Sequence, residues 1–142
     1  MCPGETTVSL DDRDLIDWVA FAKARSELGT GFVRILGYFR EDGVKSVAAI
    51  EVAMRAQNAA ALVIPAHTLK GEARQFGAEP LGALAEKIEV VARDCVESRD
   101  TPDEAIAEVA ALRGLFQRTL TILEAEGNPV VQRRQGFGRR IG

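Results

Sequence analysis

The chain has 142 residues, enough for one domain with a real core, and its 46% hydrophobic and 27% charged composition excludes a disordered polymer. No apolar run approaches the roughly 18 residues that span a membrane, and the start, M-C-P-G-E-T-T, has neither a basic n-region nor an apolar h-region, so a cytoplasmic protein is expected. The net charge of −3 resolves into +4 on residues 130–142, from Arg133, Arg134, Arg139 and Arg140, and −7 on the remainder, an acidic body that argues against broad nucleic-acid binding by the domain. Cys2 and Cys95 lack C-x-x-C spacing, and a single histidine gives no metal set, so both read as free thiols, Cys95 within the core.

Residues 1–10 show no periodicity and are expected to be loose. Asp11, Asp12 and Asp14 then place negative charge at a helix start, with Leu15, Trp18, Val19 and Ala22 as an apolar stripe, predicting a first helix to about Leu28 stopped by Gly29. Phe32, Leu36, Phe39, Gly43, Val47, Ile50 and Met54 keep one helical phase and predict a long helix from about Gly31 to Gln57, with a break at Gly43 as the alternative. Asn58 is the one good cap before the next helix. That helix either begins near Ala60 and bends at Pro65, or begins near Ile64, and ends at Gly77. Pro80 opens a further helix striped by Leu81, Leu84, Ile88, Val91 or Ala92, and Cys95. Thr101, Pro102 and Glu104 have the pattern of a capping box, and Ala105, Val109, Leu112, Phe116, Leu120 and Leu123 carry the last helix to Glu126 before Gly127-Asn128-Pro129. Helices with short connections and no strand alternation predict an all-α, antiparallel four-helix bundle with an additional N-terminal helix: 1–10 loose, 11–127 the bundle domain, 128–142 a basic, flexible tail.

The only histidine lies in P-A-H-T-L-K-G-E-A-R-Q-F-G-A, residues 65–78. Leu62, Ala66, Leu69, Ala73 and Phe76 form the apolar stripe of this helix, and His67 falls roughly 140° from its middle, so the imidazole is expected to face solvent. Lys70 and Gly71 stand at i+3 and i+4 from His67, its direct neighbours. A glycine inside a helix costs about 1 kcal/mol relative to alanine; at 71 it leaves room for another protein's backbone to approach the ring.

His67, Lys70, Gly71 and Gly77, in the spacing H-x-x-K-G-x(5)-G followed by Ala78, Leu81 and Leu84, resemble the signature of histidine-containing phosphotransfer (HPt) domains. The resemblance covers about residues 14–125, most strongly 66–89. It implies an HPt-like bundle that carries a phosphoryl group on His67 between aspartates of response-regulator receiver domains, including those of hybrid histidine kinases. It further implies that Nε2 attacks, that Lys70 offsets the arriving charge, that Gly71 admits the partner, and that the protein needs no cofactor of its own, the Mg²⁺ being held in the receiver. Position 74, commonly small in this family, is Arg74 here, two turns from His67 on nearly the same face, where contact with a docked receiver is expected.

The residues alone agree with a carrier. No G-x-x-x-x-G-K-[ST] or G-x-G-x-x-G loop offers a seat for ATP, and no nucleophile, base and acid set for acyl chemistry can be read. Two further readings stand beside it: a non-catalytic, receiver-binding scaffold or regulator of HPt-like fold, and an arginine tail that engages nucleic acid or an acidic partner. A monomer is expected, without membrane attachment.

Overall fold

A computed structural model of the chain describes residues 12–127. Asp11, Cys2, the loose N-terminus and the basic tail expected at 128–142 lie outside the described residues. Five helices lie wholly within the described residues, in order α1 (Trp18–Leu28), α2 (Phe32–Arg55), α3 (Ala59–Gln75), α4 (Glu79–Ser98) and α5 (Ile106–Gly127), with 3-10 turns at Gly29–Gly31 and Asp103–Ala105; Asp12 and Arg13 before them are also helical. Helices α2 to α5 form an antiparallel four-helix bundle in which α2 and α4 each pack on both α3 and α5. No strand occurs among the described residues, and none of their helices is long and apolar enough to cross a membrane.

The connections are short because three consecutive helices end the same way. Gln57, Gly77 and Arg99 take positive φ of 57°, 80° and 62°, and in each case the next amide reaches back five residues: Asn58 to Ala53, Ala78 to Ala73, and Asp100 to Cys95. This is the Schellman arrangement, which satisfies carbonyls that a helix end otherwise orphans. Only one of the three positions is glycine. Gly77 has a second constraint, since a Cβ there would lie 2.6 Å from the Asp17 carbonyl of the chain entering α1, and the Asp17 amide donates to the Gly77 carbonyl at 2.7 Å. Helix α1 is therefore seated by its backbone on the turn that closes α3.

Helix α2 runs unbroken through Gly43. The glycine is buried because the Phe116 ring of α5 presses on the space a Cβ would fill. Asn58 caps α3, its side chain accepting the Ala61 amide at 3.1 Å. The helix thus starts at Ala59 with Pro65 inside it, the earlier of the two expected starts.

Two expected phases differ. The expected first helix is not continuous: Asp12 and Arg13 are helical, the chain breaks at residues 14–17, and the Asp17 carboxylate accepts the amides of Val19 and Ala20 to start a new helix at Trp18. The interruption shifts the register: Leu15, Ile16, Phe21 and Ala24 are buried while Val19 is 81% exposed. Trp18 is half-buried, its ring edge-on to Phe21 and its indole N–H donating to the Arg13 carbonyl. At the start of α5 the capping box does not form. The Thr101 hydroxyl donates to the Asp103 carboxylate at 3.2 Å, Pro102 is buried, and a 3-10 turn precedes the helix. Farther along α5, Thr119 is fully buried and Leu120 only partly.

Candidate functional site

The stripe of α3 is buried as its spacing predicts: Leu62, Ala66, Leu69, Ala73 and Phe76 all have zero exposure. That burial fixes the helix rotation and turns His67 outward, its side chain 58% exposed. The facing surface of α4 is built from Gly82, Ala85 and Ala92, all buried. With Ala66 and Ala73 opposite, these small side chains let the two helices approach closely. The approach brings Glu89 of α4 to His67.

Glu89 is the hub. Its side chain is 6% exposed, yet it meets three partners. Oε2 lies 3.0 Å from His67 Nδ1 and accepts from Arg93 Nε at 2.9 Å; the same oxygen is 2.8 Å from Arg93 Nη2. Oε1 is 2.9 Å from the Lys70 ammonium, which is its ion-pair partner. Burial alone would push the carboxyl up, but hydrogen bonds from Lys70, Arg93 and His67 outweigh it and hold the group at about 2. Glu89 is thus a carboxylate near neutral pH and can only accept. In the neutral imidazole the bond to Glu89 then requires the proton on Nδ1, which leaves the lone pair at Nε2, the nitrogen turned away from Glu89.

The remaining predicted residues fall into two groups. Lys70 joins His67 at Glu89. Gly71 is exposed on the same face, and a Cβ there would meet nothing within 4 Å, so the protein's own packing does not require the glycine. Arg74 is committed elsewhere: Nε donates to Glu79 at 3.3 Å and Nη2 to Glu86 at 2.9 Å, and its stem lies over Gly82, where a Cβ would come within 2.8 Å of Cγ. These partners draw it toward α4. Gly77 closes the helix and receives α1, away from the imidazole chemistry.

Sequence reasoning missed Glu89 and Arg93. Both flank the apolar stripe of α4, Glu89 sitting beside Ile88 and one turn from Ala85 and Ala92. An acid at the edge of a buried stripe with an arginine at i+4 is the trace that was available.

The model for the Hpt domain matches residues 34–124, which is α2 to α5 with every site residue inside. The chain belongs to the Hpt domain family. That membership supports a histidine phosphotransfer role in phosphorelays. The fold of the Hpt domain agrees with the crystal structure of histidine-containing phosphotransfer protein B from Pseudomonas aeruginosa PAO1. That structure superposes with a TM-score of 0.70 at 22% identity, covering 81% of this chain and 96% of the other. Comparison with curated proteins by sequence finds no match.

Proposed function

We propose that this Hpt protein is a phosphocarrier in which His67 accepts a phosphoryl group from, and donates it to, aspartates of receiver domains. The observation that carries the reading is the Glu89 contact, which selects the tautomer with its lone pair at Nε2 on an exposed ring. In the forward step the Nε2 lone pair forms the N–P bond as the acyl P–O bond breaks, and the aspartate leaves as a carboxylate with the bonding electrons. No proton is transferred: Nδ1–H stays on Glu89, and the positive charge that develops on the ring faces that carboxylate. Lys70 and Arg93 together outnumber Glu89 in charge, so the cluster carries a net positive charge that offsets the arriving phosphoryl. Mg²⁺ is supplied in the receiver's own site. The same geometry serves transfer in either direction, in the cytoplasm, with the carrier a monomer.

The test is to mix the purified protein with receiver domains charged with labelled acetyl phosphate. Acid-labile, base-stable label on His67, lost in His67→Gln, is the expected result. Absence of label from every receiver of the host overturns the reading. A His67→Gln protein that binds receivers and leaves signalling output unchanged would favour the scaffold instead.

A further inference from the structure

The His67 face of α3 is divided in two. Measured on the helical wheel from His67, Ala60 lies about 20° away, Val63 about 40° and Ile64 about 60°. These three cover the face on the N-terminal side of the imidazole, where Lys70, Gly71 and Arg74 cover it on the C-terminal side. The C-terminal half is charged and internally paired, through Glu89, Glu79 and Glu86. The N-terminal half is apolar: Ile64 is 68% exposed, and Ala60 and Val63 line a cleft of about 450 Å³ whose opposite wall is Val96 of α4, itself 46% exposed. Arg93, Asp94 and Glu97 form its rim.

We propose that a receiver domain docks off-centre on this protein, seating an apolar side chain in the α3–α4 cleft of Ala60, Val63 and Val96 while its aspartate meets His67. The inference rests on the phosphocarrier reading and adds where the partner sits. Three observations favour this occupant. The cleft is continuous with the phosphoryl site, because Arg93 belongs both to its rim and to the Glu89 cluster. It is within reach: a standard interface covers about 800 Å² per partner, a disc about 16 Å in radius, and Ala60 is roughly 10.5 Å of helical rise from His67. An apolar floor inside a charged rim also has the anatomy of a protein interface. The second apolar cleft, between α2 and α3, includes Ala48, Val52 and Ala61. It opens about 120° around the helix from His67 at Ala61, too far round for a partner that must also reach Nε2.

Ala60→Gln and Val96→Gln test the inference, with Val52→Gln as the control in the other cleft. All three positions are exposed, and glutamine keeps helix propensity. Phosphoramidate, which needs no docking, should label His67 at the parent rate in every variant. Transfer from acetyl-phosphate-charged receivers at subsaturating concentration should slow about tenfold or more in the two cleft variants and stay unchanged in Val52→Gln. Transfer unaffected in Ala60→Gln and Val96→Gln overturns the docking site while leaving the carrier reading intact. So does a loss of self-association by sedimentation in those variants with transfer unaltered, which would assign the cleft to a second copy of the chain. Failure of the parent protein to take label from any receiver refutes the carrier reading, and this inference with it.

Discussion

Replacing Glu89 separates what the cluster does for stability from what it does for chemistry. A carboxyl held at about 2, against an ordinary value of 4.5, corresponds to an upper bound of about 3 kcal/mol of stabilisation near neutral pH. Arg93 and His67 are each more than half exposed, so solvent screening discounts this to about 2 kcal/mol. Glu89→Ala should therefore lower Tm by about 8 °C in a domain of this size. The sign with pH is fixed: the Glu89 contribution is fully present above about pH 4.5 and disappears as pH falls toward 2. Glu72 acts in another window. Burial, then a hydrogen bond and charge from Asp42, push it up to about 7, so its penalty is relieved as pH falls from 7 toward 4.5. Stability should rise as pH falls from 7 toward 4.5 and then fall again, and Glu89→Gln should shrink the second limb without abolishing it, because Glu51 and Glu108, held low by Arg113 and Lys87, lose their own contributions in the same window. For transfer, the Nδ1–H bond to a carboxylate is worth about 1.5–3 kcal/mol as charge develops on the ring, a loss of about 10- to 100-fold in rate. Nitrogen-15 NMR of the His67 ring reads the tautomer directly, and phosphoramidate labelling reads the rate. Glu89→Ala that keeps the proton on Nδ1 and is labelled at the parent rate would refute the assignment of Glu89 as the residue that orients the imidazole.

Gly71→Gln should leave the melting curve within a degree or two of the parent, since nothing in the bundle occupies the space, yet should abolish transfer from receivers. Arg74→Ala should weaken receiver binding severalfold by titration calorimetry and leave the lifetime of isolated phosphohistidine unchanged, because its guanidinium is held by Glu79 and Glu86; an altered hydrolysis rate would mean it serves the phosphate. Gly77→Ala should cost about 3 kcal/mol by denaturant titration, combining a left-handed backbone with a clash against the Asp17 carbonyl. Arg99→Gly should do the reverse, raising stability by up to about 1 kcal/mol by removing the left-handed penalty at the end of α4.

The rotation of α3 was legible because it depends on one helix alone: five apolar residues in strict phase leave a single orientation, and the exposure of His67 follows from it. The cap at Asn58 and the turn at Gly77 are local for the same reason. Glu89 was hidden because its contact with His67 spans 22 residues of sequence and exists only once α3 and α4 touch. Likewise the expected phase of α1 failed because the helical turn at Asp12 and Arg13 does not continue; the chain breaks at residues 14–17 and Asp17 caps a new start at Trp18, which resets the register. Thr119 took the place expected for Leu120 because the packing of α5 against its neighbours, not hydrophobicity, chose which side of the stripe was enclosed.

Six rings connect α1 to the opposite wall of the bundle. Trp18 meets Phe21, Phe21 meets Phe32, Phe32 meets Phe76 at the end of α3, and Phe39 links Phe76 to Phe116, with centroids 5.2 to 5.7 Å apart. Trp18 is the sole tryptophan of the chain and stands at the outer end of this row, with the Arg13 guanidinium 4.4 Å above its ring. The molecule therefore carries its own fluorophore at the seam between α1 and the rest. Emission from Trp18 reports release of that helix from the Gly77 turn, while far-UV circular dichroism is dominated by the four longer helices. A denaturation in which the two signals separate would time the departure of α1 against the loss of the helix that bears His67, without any label being introduced.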